Sequence, residues 1–175
     1  MLDNMKIINI TLLSVFLCGL VTKASATVVE ASPEHYVLKQ EAESTLKPEK
    51  LWQRLIKPES WWHPDHTYSG DSANLSLDLT AGGLWSETWD GGSVLHGQVL
   101  LVMNNKQLRL NAPFGPLQEK AVQVIWTITL TPSDKGTLVV FDEVASGSQS
   151  SELDKLAPAV DFVKTEAIKR LVNIN

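Results

Sequence analysis

The chain has 175 residues, 15 Lys and Arg against 20 Asp and Glu for a formal net charge of −5, six tryptophans and one cysteine. That length supports one domain with a real core. The mild acidity argues against a nucleic-acid partner, whose phosphates reward a basic face, and one cysteine excludes a disulfide framework.

Residues 1–26 are expected to form a cleavable export signal. Lys6 precedes an apolar run from Ile7 to Val21, and Lys23-Ala24-Ser25-Ala26 closes on an Ala-x-Ala site. A basic start, an apolar stretch and small residues at the cleavage position are the three parts of such a signal. Met5, just before Lys6, is an alternative start. The run is shorter than the ~20 residues of a spanning helix, so no stable membrane anchor is expected after cleavage. Cys18 follows Leu17 rather than a small residue, which argues against lipidation. Removing the segment leaves Thr27 to Asn175 with 13 basic and 19 acidic side chains and no thiol. The expected location is periplasmic or secreted.

Residues 27–35 read as a short lead-in, and 36–175 as a single domain. Tyr36 to Leu46 alternates as a strand. Pro48 suits the first turn of a helix, where a missing N–H costs nothing, and Leu51, Trp52, Leu55 and Ile56 give that helix an apolar face. Pro58 opens a second short turn ending in Trp61-Trp62, followed by the polar loop His63 to Gly70. Strands are then predicted at Leu75–Leu79, Leu84–Trp89, Ser93–Met103 and Lys106–Ala112, joined by turns too short for anything but antiparallel pairing. After the bend from Pro113 to Pro116, strands are expected at Val122–Leu130 and Thr137–Val144. Leu153, Leu156, Val160, Val163, Ala167 and Leu171 recur at helical spacing. Pro158 should kink that helix or start its main segment, and Phe162 falls on the opposite side. The order implies an α+β fold, a curved antiparallel sheet covered by one long C-terminal helix.

The hairpin at Asp90-Gly91-Gly92 sets the inward face. A two-residue loop puts Trp85, Glu87 and Trp89 on one face with His96 and Gln98. A three-residue loop puts them with Leu95, Gly97, Val99 and Leu101, and Asn104-Asn105 then sets Leu101 opposite Leu108 and Val99 opposite Leu110. One residue of slip moves every side chain to the other face. The three-residue register is preferred because it gathers the apolar residues, leaving Glu87 as the one inward polar group and His96, Gln98, Arg109 and Asn111 toward water.

The segments Lys47-Pro48-Glu49-Lys50-Leu51-Trp52, Trp61-Trp62-His63-Pro64, Ala81-Gly82-Gly83-Leu84-Trp85-Ser86-Glu87, Gly97-Gln98-Val99, Leu108-Arg109-Leu110 and Gly136-Thr137-Leu138 occur in that order before the final helix. In this the chain resembles the START-related (SRPBCC) superfamily. It looks most like the branch with the activator domain of the heat-shock-chaperone ATPase and the polyketide-cyclase-like proteins. The resemblance spans nearly all of residues 36 to 172. It implies the helix-grip fold and a pocket for an apolar or amphipathic molecule, but no single activity, since the superfamily holds carriers, cyclases, hydrolases and co-chaperones. The export signal departs from the chaperone-activator members, which act on a cytosolic partner.

The expected function is binding of a small hydrophobic or amphipathic molecule in a Trp-rich cavity between sheet and helix. The candidate lining residues are Trp61, Trp62, Trp85, Glu87, Trp89, Leu110, Phe114 and Trp126. Such residues make a pocket wall or an ordinary core wall, since the two have the same composition. The alternatives are a cyclase- or hydrolase-type enzyme with Glu87 as acid or base, and an interaction module without a small ligand. An inward, dry Glu87 would have a raised pKa, whereas one paired with a nearby donor would be structural. His63, Asp65 and His66 resemble metal ligands in type but not in spacing. No Gly-x-Ser-x-Gly elbow or phosphate loop occurs. No metal and no cofactor are expected.

Overall fold

The computed structural model describes residues 25–173; the export segment lies outside them except for Ser25 and Ala26. Eight strands form one antiparallel sheet: β1 (Ser25–Ser32), β2 (His35–Ser44), β3 (Leu75–Leu77), β4 (Leu84–Trp89), β5 (Gly92–Met103), β6 (Gln107–Asn111), β7 (Gln123–Ser133) and β8 (Gly136–Ser146). Their order across the sheet is β1-β2-β8-β7-β6-β5-β4-β3. Two helices complete the fold, α1 (Pro48–Leu55) and α2 (Leu153–Val172). α2 packs against β2, β1 and β8. This is the expected α+β helix-grip arrangement.

Alternation in sequence becomes alternation in burial. Val124, Trp126, Ile128 and Leu130 of β7 face inward, as do Val139, Phe141, Glu143 and Ala145 of β8. Successive strand residues point to opposite faces, so one face of each strand is dry. Most of the core is one cluster joining α1, Trp61, Trp62 and the sheet centre to the C-terminal end of α2. A second cluster, with Tyr36, Leu38, Leu117, Val124, Leu153 and Ala157, lies under the start of α2.

Three expectations change. The supposed lead-in is β1, paired with β2 from Ser25↔Glu41 to Ser32↔His35. It is an edge strand with Val28 and Val29 exposed, so it lacks the apolar alternation that marks strands buried on one face. Secondly, α2 begins at Leu153, one turn before Pro158, and continues through it. The proline's absent N–H leaves the Asp154 carbonyl without its helical partner.

The third change concerns the hairpin. Trp89 pairs with Gly92, so the loop is the two-residue Asp90-Gly91, with Gly91 at φ +87° as such a turn requires. Yet Trp85 still pairs with Gly97, because a β-bulge at His96 shifts the register between Trp85 and Ser86. Leu95 is therefore exposed and His96 buried, the reverse of the expected facing. A second irregularity between Val99 and Leu101 keeps Val99↔Leu110 but sets Leu101 opposite Arg109 and Val102 opposite Leu108. Val102, not Leu101, packs on the core.

Gly97, next to the bulge, lets β5 approach the end of β6 closely. A Cβ there would lie 2.9 Å from the Asn111 carbonyl oxygen and 2.9 Å from the Ala112 Cβ. Gly97→Ala is expected to lower stability by about 1–3 kcal/mol, the usual range for overpacking. Denaturant unfolding checks this, and an unchanged midpoint would contradict it.

Candidate functional site

The sheet's inner face carries a block of aromatic rings. Trp61, Trp85, Trp126 and Phe141 are fully buried. Trp85 meets Trp61 edge-on at 5.8 Å between centroids, and Trp126 meets Phe141 at 5.0 Å. Edge-on pairs at these distances are favourable beyond their buried area. The short turn after α1 delivers Trp61 and Trp62, whose indole N–H groups donate to the Leu55 and His66 carbonyls at 3.1 and 3.0 Å.

A cavity of about 420 Å³ opens beside this block rather than within it. Its apolar walls include Trp62 and Phe114 on one side and Leu156, Val160 and Val163 of α2 on the other. Trp62 stacks on Phe114 with centroids 5.2 Å apart. Residues 65–68 and 114–117 complete the wall, and His96, Glu143 and Lys164 add polar side chains. The volume lies within the usual range for small-molecule sites, as does a mostly apolar lining with a few polar groups.

Behind the cavity sits Glu87, fully buried on β4. It accepts from the Tyr68 and Ser69 backbone N–H groups at 3.0 and 2.5 Å, and its Oε2 lies 2.9 Å from His96 Nε2. Burial pushes its pKa up, but the hydrogen bonds from Ser69, Tyr68 and His96 outweigh this and hold the carboxyl below its ordinary range. The expected rise is thus reversed. Glu87 is a carboxylate that tethers the loop over the cavity and orients a histidine. An ionised carboxylate only accepts, so Nε2 of His96 carries the proton. Nδ1 is then a bare acceptor, buried with no partner among the described residues. Burial also lowers the His96 pKa despite the neighbouring carboxylate, which favours the neutral ring. Its face stacks on Phe114 at 5.3 Å.

A second buried pair joins α2 to the sheet. Lys164 Nζ lies 2.8 Å from Glu143 Oε2, with the two residues 2% and 1% exposed. The Tyr36 hydroxyl donates to the other Glu143 oxygen at 2.7 Å. The Lys164 contact is an ion pair without directed hydrogen-bond geometry. The ammonium also stands 3.1 Å from the Trp126 ring centroid and 4.6 Å from that of Phe114, where the ring faces attract a cation. Burial lowers the Lys164 pKa, and Glu143 opposes the shift.

Of the candidate lining residues, Trp62 and Phe114 line the cavity. Trp61, Trp85, Leu110 and Trp126 are packed in the core behind it. Glu87 acts one residue back, through His96. Trp89 is partly exposed at the hairpin, its ring so close to Gly92 that a Cβ there would sit 2.5 Å from it. Sequence reasoning missed His96, Glu143 and Lys164. The His63 loop is a short turn in which His63 Nδ1 accepts from the Asp65 N–H at 3.1 Å. Among the described residues no three His, Cys, Asp or Glu side chains gather as a metal site.

No family model matches the chain, and no curated protein matches it in sequence. Solved structures do match in fold. A protein from Rhizobium leguminosarum aligns with a TM-score of 0.58 at 16% identity, over 86% of this chain and 95% of that one. One from Rhodobacter sphaeroides gives 0.56 at 17% identity, over 85% and 95%. One from Mesorhizobium loti gives 0.52 at 22% identity, over 77% and 93%. At these identities the likeness concerns the fold alone.

Proposed function

We propose that the chain is an exported member of the START-related superfamily that binds a small hydrophobic or amphipathic molecule. The observation that carries this is the cavity between α2, Trp62 and Phe114, about 420 Å³ and walled mainly by apolar side chains. Export rests on the Lys6 to Ala26 pattern. Binding would come from burying apolar ligand surface, at about 25 cal/mol per Å². Native mass spectrometry of protein isolated from the periplasm tests both parts. The expected result is a chain beginning at Thr27 that carries lipid-like mass or takes up an apolar fluorophore. Val160→Trp, which fills the cavity from α2, should reduce uptake at least tenfold with the fold intact by circular dichroism. Wild type that takes up neither ligand nor fluorophore overturns the reading.

A second reading is an enzyme on the same cavity, favoured by His96 standing within hydrogen-bond reach of Glu87. In it His96 is the general base and Glu87 its orienting carboxylate, the arrangement that holds a histidine in one tautomer. This replaces the expected role of Glu87 as the acid or base itself.

A further inference from the structure

Among the polar side chains of the cavity, His96 is the most specific about what it would bind. It is 2% exposed and lines the cavity. One nitrogen is committed to Glu87 at 2.9 Å. The other, Nδ1, is an acceptor with no donor among the described residues. A buried acceptor left unsatisfied is costly, and a ligand can remove that cost only by bringing an O–H or N–H. A ketone, an ether or a hydrocarbon brings none.

Charge narrows the class further. Asp65, Glu119 and Glu143 also line the cavity, and Glu87 lies behind His96. The one lysine there, Lys164, is already paired with Glu143. An anionic ligand would find no unpaired lysine or arginine among the lining residues, while the exposed carboxylates Asp65 and Glu119 would repel it. The remaining walls, Trp62, Phe114, Val160 and Val163, suit flat or branched apolar bodies.

We infer that the ligand is a neutral apolar molecule carrying a hydroxyl group, such as a phenol or a polycyclic alcohol, whose O–H is received by His96 Nδ1. This rests on the cavity being a binding site at all and adds the chemistry of its polar end.

The test is calorimetric titration of the purified chain with three probes of one shape: 2-naphthol, 2-methoxynaphthalene and 2-naphthoate. The naphthol should bind about tenfold tighter than its methyl ether, which keeps the oxygen but not the donor, and the naphthoate should bind weakest. His96→Phe should erase the preference for naphthol over ether. His96→Gln, which offers Glu87 a donor and the ligand an acceptor, should keep part of it. Equal binding of naphthol and ether by wild type overturns the inference and leaves the cavity reading standing. So does a preference that survives in folded His96→Phe. If that variant does not fold, the wild-type ratio decides alone. Binding of none of the probes overturns both the inference and the reading beneath it.

Discussion

Glu143→Ala is expected to destabilise the fold by about 3–5 kcal/mol, the usual cost of stranding one member of a buried ion pair. The variant leaves the Lys164 ammonium among Trp126, Phe114 and Trp62 with no carboxylate beside it. It also deprives the buried Tyr36 hydroxyl of its acceptor. A domain of this size has roughly 5–15 kcal/mol in all, so the loss is a large part of the total. Removing both charges, as Glu143→Leu with Lys164→Met, should restore much of it, because buried pairs are often replaceable by apolar residues of similar volume. Denaturant unfolding of Glu143→Leu, Lys164→Met and the double closes the cycle. A single-variant loss under about 1 kcal/mol, the exposed-pair range, would show that water reaches the pair.

The second large effect is expected at Glu87. Glu87→Ala removes the acceptor of the Tyr68 and Ser69 N–H groups and the partner of His96 together. Hydrogen bonds to a charged group contribute about 1.5–3 kcal/mol each, and the loop relaxes in part, so a net loss of roughly 3 kcal/mol is expected. Hydrogen exchange at the Tyr68 and Ser69 amides should accelerate more than in the sheet. Acid behaviour separates the two partners. The folded Glu87 pKa lies below its ordinary 4.5. Its contribution is therefore complete above that value and lost as pH falls through the folded one. The folded His96 pKa lies below 6.5. The unfolded chain thus takes up that proton first, and stability declines as pH drops below 6.5. Urea midpoints against pH should show both steps in wild type and only the upper one, altered, in Glu87→Ala. A lower step that persists undiminished would assign it to other carboxylates.

Much of the fold was legible because its signals are local. Asp90-Gly91-Gly92, the Asn104-Asn105 turn and the alternation of Val124, Trp126, Ile128 and Leu130 each mark a strand or its end without reference to the rest of the chain. β1 was not legible, since an edge strand need not alternate. The site was legible only in part, and for identifiable reasons. A regular ladder forces a choice between two registers and puts His96 toward water, whereas the chain uses a bulge to hold both. Lys164 follows Val163, a member of the apolar stripe on α2, and a lysine does not count toward such a stripe. The signal that could have found it lies on β8. There Val139, Phe141, Glu143 and Ala145 alternate inward, and an inward carboxylate calls for a cation on whatever covers the sheet. The abundance of tryptophan pointed to the right region but to the wrong role, as Trp61, Trp85 and Trp126 are the floor against which the cavity's own walls are set.

The bulge at His96 also bears on how such a site is gained or lost. Every pair flanking it, Trp85↔Gly97 on one side and Ser86↔Leu95 on the other, is already in place. Deleting the single codon for His96 would leave a regular two-stranded ladder and remove the histidine in one event. Inserting one residue into an unbulged ancestor would do the reverse, with no slip of the neighbouring side chains. Within this architecture, a cavity with the Glu87-bound histidine and one without it are therefore separated by a change in chain length rather than by a series of substitutions. Related chains are best compared by counting residues between the Asp90-Gly91 turn and Gly97.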